Sequence, residues 1–191
     1  MGAAHEVTGG AAATARVGIG RRLIGIALGA LLVSAAAQVA VPVPFSPVPM
    51  TLQPLAVLVV GGLLGATGGL AALVTYLALG SMGLPVFAGG AAGALHLIGP
   101  TGGYLLAFPV AAGVVGALTG RSAGVLRVLL ACALGMVVIH VGGVAQLTLL
   151  DGDPALALRV GFVPFLTGDL LKVGLAAAVI LGLRPMVRGV N

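Results

Sequence analysis

Two charged residues, Asp169 and Lys172, lie in an apolar stretch near the end of the 191-residue chain, in the segment Gly161-Phe-Val-Pro-Phe-Leu-Thr-Gly-Asp-Leu-Leu-Lys172. Residues three positions apart lie on one face of a helix, so the carboxylate and the ammonium group can pair. A charge at bilayer depth costs about 2.5–3.5 kcal/mol or more, and it persists only when it is paired, faces a cavity or is used. The pair therefore indicates either a ligand site or an ion pair that locks the helix to its neighbours.

One strong acceptor beside one strong donor in a low-dielectric pocket suits a cyclic urea or amide, whose N–H and C=O groups present the complementary pattern. Gln53 and Thr167 could add neutral hydrogen bonds. Apolar walls could come from aromatic side chains, which are Phe45, Phe87, Tyr104 and Phe108. We interpret His140 as a packed histidine and His96 as a loop residue, since neither has another ligand at metal-binding spacing. The sequence predicts no metal site and no other cofactor.

The elements that position these residues must lie in a membrane. Hydrophobic residues make up 60% of the chain and charged residues only 7%, with a mean hydropathy of +1.24, whereas soluble domains carry about 25% charged residues. Because a spanning helix takes about 20 residues, the chain has room for about six spans and no soluble catalytic domain. Breaks at proline, glycine and charge clusters give spans near 21–41, 53–66, 68–83, 100–119, 124–149 and 160–184.

We therefore predict an all-α integral membrane protein, a bundle of about six transmembrane helices. Its predicted parts are an N-terminal tail at 1–20, the six-helix substrate-binding domain at 21–186 and a C-terminal tail at 187–191. The second and third spans are short and are joined only by Gly65-Ala66-Thr67-Gly68-Gly69, so this pair could instead be re-entrant or tilted. Glycines in this region and at Gly25 and Gly29 allow close approach of helix backbones.

Basic residues set the predicted orientation. With six spans, three arginine clusters fall on one side of the membrane, and they are Arg16, Arg21 and Arg22, then Arg121 and Arg127, then Arg184 and Arg188. The positive-inside rule makes this side cytoplasmic, so both termini are expected in the cytoplasm of a multi-pass cell-membrane protein. The nine lysines and arginines form no basic stripe, which argues for the lipid bilayer and against nucleic acid as a partner.

Three connections with unusual chemistry fall on the opposite, outer side, and we name them the first, second and third outer links: 41–54, 83–104 and 151–164. The first has a proline at every second or third position in much of its length, which predicts a stiff, extended strap without internal hydrogen bonds. Glycines in the second permit tight turns and close approach of the backbone to a small ligand. Each link alone could be a plain connection, but three on one face favour a binding site.

Missing motifs narrow the function. The chain has no Gly-Lys-Ser/Thr phosphate loop, so it is not expected to hydrolyse ATP. It shows no Ser-His-Asp arrangement and no second ionisable cluster, which argues against an intramembrane enzyme. Repeated polar rings typical of a channel are also lacking. Active transport would then need a partner or an ion gradient.

Four motifs together resemble the biotin-specific S component of energy-coupling factor (ECF) transporters, the BioY family. They are Pro47-Val-Pro-Met-Thr-Leu-Gln53, Gly83-Leu-Pro-Val-Phe-Ala-Gly-Gly90, Gly99-Pro-Thr-Gly-Gly-Tyr104 and Pro164-Phe-Leu-Thr-Gly-Asp-Leu-Leu-Lys172. The resemblance runs from about residue 20 to the end, and it implies a six-helix protein that captures biotin from outside without being an enzyme. It also implies a transmembrane coupling protein and two cytoplasmic ATPase subunits as partners.

Carried over by position, the family's binding aspartate and lysine fall on Asp169 and Lys172. With the residues above, the candidate binding set is Asp169, Lys172, Gln53, Thr51, Phe87, Tyr104, Thr167 and Phe45. The family's small-residue face for docking the coupling protein corresponds to Gly25, Gly29, Ala30 and Ser34. Some members of the family place a polar side chain in the segment from Gly89 to Ala94, which here has only glycine and alanine. A backbone group or another residue must therefore take over the role of that side chain. An S component for another vitamin, a small channel and an intramembrane enzyme are the alternative functions.

Overall fold

Helices form almost all of the protein. The computed structural model describes residues 3–120 and 122–188, with side chains from residue 18 to residue 185 in those ranges. The helices are α1 (Ala3–Gln38), α2 (Gln53–Ser81), α3 (Gly102–Leu118), α4 (Val125–Asp151), α5 (Pro154–Gly161) and α6 (Leu166–Arg188). Three 3-10 turns lie in or beside the outer links: Ala88–Gly90, Ala94–Leu97 and Val163–Phe165.

Helix α2 is a hairpin of two antiparallel arms rather than one rod. Its backbone breaks at Gly65, where φ is +74° and ψ is 179°. Gln53 Nε2 donates to Tyr76 Oη at 2.7 Å, whereas a straight helix would separate these residues by about 34 Å. The arms are therefore 53–64 and 66–81, and they correspond to the two short spans that the sequence predicted.

With the arms counted separately, the described residues contain six long apolar helical segments: α1, the two arms of α2, α3, α4 and α6. Four helical stretches are long and apolar enough to cross a membrane by length and composition, and Gly102–Leu118 is a shorter apolar helix. Apolar side chains such as Leu23, Ile24 and Leu170 point outward, at 60%, 62% and 75% exposure. This surface suits lipid, and the prediction of an all-α membrane bundle is confirmed.

Close backbone contact joins α3 to the α2 hairpin. A Cβ atom on Gly116 would overlap the backbone of Gly65 and Ala66, and one on Gly61 would overlap the backbone of Ala112. Across the hairpin, a Cβ on Gly69 would lie 2.9 Å from Gly61 Cα. These glycines allow van der Waals packing between helices, which drives helix association where lipid supplies no hydrophobic force.

The helices extend beyond the predicted membrane domain, whose bounds stay a prediction. Helix α1 begins at Ala3, so the predicted tail at 1–20 is mostly helical, and α6 continues to Arg188 into the predicted C-terminal tail, whose residues 189–191 lie outside the described ranges. The third outer link is not a plain connection, because it contains α5. Asp153 begins α5 by accepting hydrogen bonds at Oδ1 from the amides of Ala155 (2.8 Å) and Leu156 (3.1 Å).

The first outer link is folded back on itself instead of being a strap without internal hydrogen bonds. Its ends form a two-stranded antiparallel ladder, β1 (Ala40–Val41) with β2 (Met50–Thr51). Ser46 Oγ accepts from the Val48 amide at 3.1 Å. The prolines therefore shape a compact loop whose two ends meet where α1 finishes and α2 begins.

The small-residue face of α1 packs largely against α2, and its role as a docking face for a coupling protein stays a prediction. A Cβ on Gly29 would lie 3.0 Å from Ala72 Cβ, and Ala30 is 2% exposed. A Cβ on Gly25 would lie 3.2 Å from Leu64 Cδ2. Ser34 is half-buried and its Oγ donates to the Ala30 carbonyl at 2.8 Å. The sequence signalled close packing correctly, but the partner is α2 of the same chain.

Candidate ligand-binding site

A cavity of about 310 Å³ lies at the end of the bundle that carries the outer links. This volume is at the lower end of the range of about 300–1,000 Å³ for small-molecule sites. The first link contributes Val48, Pro49, Thr51, Gln53 and Pro54 to the wall, and the second contributes Phe87, Ala88, Ala91, His96, Pro100, Thr101 and Tyr104. Phe165, one residue beyond the third link, is also part of the wall. The helices supply the remaining wall residues, which are Leu105, Phe108, Ile139, His140, Asp169 and Lys172. The first and second links thus supply much of the wall, whereas the third link contributes no residue to it.

The charged residues of α6 form the polar part of the cavity. Lys172 Nζ donates to Asp169 Oδ1 at 3.0 Å, and both residues are 6% exposed. Both also line the cavity. The predicted pairing on one helix face is therefore present, and the pair is placed where a ligand can reach it.

His140 from α4 completes this cluster. The sequence analysis interpreted it as a packed histidine and did not predict its contact with Asp169. Its Nε2 lies 2.6 Å from Asp169 Oδ2. We assign the proton to Nε2, because a carboxylate only accepts. The other ring nitrogen, Nδ1, is buried with no hydrogen-bond partner among the described residues. A histidine in a membrane span was itself a signal of function, but its carboxylate partner is 29 residues away, and no local spacing could identify it.

Aromatic rings hold the imidazole in place. Phe162 meets His140 edge-to-face with ring centroids 5.0 Å apart, and Tyr104 does so at 6.1 Å. The Tyr104 hydroxyl donates to the Gly161 carbonyl at 2.6 Å, which ties α3 to the end of α5. Tyr104 therefore lines the cavity with its hydroxyl already bonded to the protein, and its role as an apolar wall for a ligand stays a prediction.

Gln53 and Thr51 line the cavity and are bonded to each other, and Gln53 is also bonded to Tyr76. Thr51 Oγ1 donates to Gln53 Oε1 at 3.1 Å, and Gln53 Nε2 donates to Tyr76 Oη at 2.7 Å. The Tyr76 ring in turn meets Phe87 edge-to-face at 5.6 Å. An amide nitrogen has two N–H groups, so Gln53 keeps one donor for a ligand while its carboxamide is fixed in place.

Two predicted site residues lie outside the cavity wall. Phe45 is 97% exposed and adopts a positive φ of 68° in the first outer link, so its ring points away from the protein. Thr167 is exposed, because it lies two residues before Asp169 and thus about 200° around the helix axis. Neither residue forms part of the wall, so the structure does not bring them to the cavity, and their binding roles stay predictions.

His96 is a loop residue, as predicted, but it also lines the cavity. It lies in the turn Ala94–Leu97, and its ring stacks on Phe87 with centroids 6.0 Å apart and planes at 28°. Gln146 of α4 fixes the same turn by donating to the carbonyls of Leu97 (3.1 Å) and Gly99 (2.6 Å). Among the described residues, no group of three or more His, Cys, Asp and Glu side chains could hold a metal ion.

The geometry is that of a mostly apolar cavity with one buried cluster of charged and imidazole groups, and the chain is similar to proteins that are named as biotin transporters. The BioY family model matches residues 9–189. The biotin transporter BioY of Thermotoga maritima is 41% identical over 144 residues, which cover 75% of this chain and 85% of that protein. The probable biotin transporter BioY of Pyrococcus horikoshii is 39% identical over 159 residues, which cover 83% of this chain and 92% of that protein.

A solved structure agrees with these relatives. The crystal structure of the S-component for biotin from an ECF-type ABC transporter superimposes with a TM-score of 0.79 and 28% sequence identity, over 86% of this chain and 90% of that one. The family match extends over nearly the whole chain and includes every element that lines the cavity. The chain therefore belongs to the BioY family.

Proposed function

We propose that this protein captures biotin and takes it up across the cell membrane as the substrate-binding subunit of an ECF-type transporter. The names of the relatives and the solved S-component support biotin as the ligand. As a transporter subunit, the protein is not an enzyme.

The observation that carries this proposal is the cluster of Asp169, Lys172 and His140 in a mostly apolar cavity. Each Asp169 oxygen accepts one hydrogen bond within the cluster and keeps a second acceptor position, and the Lys172 ammonium keeps donors beyond the one it uses. The ureido ring of biotin presents N–H groups beside a carbonyl. Asp169 would accept from a ureido N–H while Lys172 donates to the ureido oxygen, and aromatic walls would cover the thiophane ring.

Competition binding tests the ligand. Purified protein in detergent should bind labelled biotin, and unlabelled biotin should displace it, because the cluster matches the ureido group. An excess of thiamine or riboflavin should leave the bound label in place, since neither vitamin carries a cyclic urea beside an alkyl acid chain. No specific binding of labelled biotin, together with specific binding of labelled thiamine or riboflavin, would favour an S component for another vitamin.

The energy for uptake must come from other proteins in this proposal. A transmembrane coupling protein and two cytoplasmic ATPase subunits would supply the nucleotide site that the sequence lacks. The purified chain should therefore bind biotin without ATP and show no ATPase activity. Liposomes that contain only this chain should not concentrate labelled biotin, whereas liposomes with the partners should. Accumulation by the chain alone would contradict this arrangement.

The proposed orientation places both termini in the cytoplasm and the cavity outside. Exposed Arg21, Arg22 and Arg127 lie at the bundle end opposite the cavity, while the outer end has exposed Arg159 together with two aspartates. Buried Arg184 also lies at the basic end, where it donates to the Ala123 carbonyl at 3.0 Å. Arg121 lies outside the described residues. The excess of exposed arginine supports a cytoplasmic location for this end.

Cysteine labelling in intact cells tests the orientation. Ser122→Cys and Gly152→Cys, each introduced in a Cys132→Ala background, place one thiol at each end of the bundle. A membrane-impermeant maleimide should label the cysteine at position 152 in intact cells, and the one at position 122 only after the cells are opened. Labelling of both from outside would contradict the six-span topology, and the reversed pattern would contradict the orientation.

A further inference from the structure

The ionisable side chains of the cavity wall fall into two groups. Asp169, Lys172 and His140 are bonded to one another, and the hydroxyl of Tyr104 is committed to Gly161. His96 alone stands apart from this cluster among the described residues that line the cavity. Its ring contacts Phe87, and no hydrogen bond occupies its imidazole nitrogens within the described part of the chain. The imidazole nitrogens of His96 are therefore available for a hydrogen bond to a ligand.

We propose that His96 binds the carboxylate at the end of the ligand's alkyl chain, and this role rests on the proposed function. Biotin has an uncharged ureido ring at one end and a carboxylate at the other. Lys172 is paired with Asp169, so its charge is already compensated at the ureido end. A second donor is needed for the acid group, and an imidazole N–H to a carboxylate is a charge-assisted hydrogen bond.

The second outer link offers no other strong side-chain donor near this position. From Ala88 to Ala94 the link contains only glycine and alanine, and Leu95 beside His96 is 77% exposed. His96 itself is half-buried and lines the cavity. His96 is therefore the residue of this part of the link that can give the cavity a polar side chain.

Two contacts hold the ring ready for this bond. Stacking on Phe87, which is 1% exposed, fixes the plane of the imidazole. The hydrogen bonds from Gln146 to the Leu97 and Gly99 carbonyls hold the turn against α4. A donor held in place before the ligand arrives loses less conformational freedom on binding, so more of the bond contributes to affinity.

A comparison of biotin with biotinamide distinguishes a bond from His96 to the carboxylate from a purely structural role of His96. Biotinamide replaces the carboxylate with a neutral amide and leaves the ureido ring unchanged. We expect His96→Ala to weaken biotin binding by about 10- to 100-fold, the effect of losing a hydrogen bond to a charged group. Binding of biotinamide should change little. His96→Lys should restore the preference for the acid, and Leu95→Ala, in the same turn but pointing outward, should leave both affinities unchanged.

Calorimetry on purified full-length protein gives both dissociation constants for each variant. An equal loss of affinity for both ligands in His96→Ala would overturn the proposal, because it would mean that His96 only supports the loop. Unchanged biotin affinity would also overturn it, and would assign the carboxylate to a backbone amide or to Thr101. A wild-type protein that binds neither ligand would overturn the proposed function itself, and the role of His96 with it.

Discussion

Replacing Asp169 with asparagine is expected to weaken biotin binding by about 2–5 kcal/mol, because the substitution removes a charge-assisted acceptor and unpairs buried donors. In the structure this carboxylate accepts from Lys172 at 3.0 Å and from His140 at 2.6 Å. Asparagine keeps the shape, but its amide nitrogen cannot accept, so one of the two donors loses its partner. Equilibrium binding of labelled biotin measures the effect directly.

Loss of folding would imitate this result, so the same variants need a stability measurement. Lys172→Met and the double variant Asp169→Asn/Lys172→Met remove the pair stepwise, and the thermal unfolding midpoint in detergent reports whether each protein remains folded. We expect all three to be recovered as folded protein with weakened biotin binding. If the double variant is folded and binds biotin normally, the pair is structural, and the ureido group is bound elsewhere, such as at Gln53.

A single methyl group at Gly116 is expected to destabilise the bundle by about 1–3 kcal/mol, the usual cost of overpacking a well-packed interior. A Cβ at this position overlaps the backbone of Gly65 and Ala66 at the tip of the α2 hairpin. Backbone atoms cannot rotate away as a side chain can, so α3 and the hairpin must separate. The thermal unfolding midpoint of Gly116→Ala in detergent should therefore be lower than that of the wild type.

Gly113→Ala is the matched control on the same helix. The nearest atom to a Cβ there is Leu70 Cδ1 at 3.8 Å, an ordinary van der Waals contact. The substitution should leave the midpoint unchanged or raise it slightly, because alanine favours the helix over glycine. Similar midpoints for Gly113→Ala and Gly116→Ala would show that the close approach of α3 to the hairpin is not important for stability.

Local patterns in the sequence predicted local features well. The apolar stretches predicted the six apolar helical segments, and the glycine-rich link between the second and third of them marked the hairpin, whose turn needs the positive φ of Gly65. The spacing of Asp169 and Lys172 placed both on one helix face, and the structure shows them bonded. These features depend on neighbours within one or two helical turns, which a sequence displays directly.

Features that depend on distant parts of the chain were predicted poorly. The bond between His140 and Asp169 joins two helices, and nothing in the spacing of the residues identifies such a pair. The small residues of α1 indicated close packing, but the sequence did not say against what, and the structure shows α2 of the same chain. Phe45 was assigned to the site by its residue type, although the fold of the first outer link turns its ring outward.

Helix α4 holds the site at two places. His140 bonds to Asp169 on α6, and Gln146, six residues further along α4, bonds to the carbonyls of Leu97 and Gly99 in the second outer link. A rotation of α4 large enough to break the first contact would also pull on the second. Helix α4 therefore couples the second outer link to α6, and the two sets of contacts are expected to form and break together.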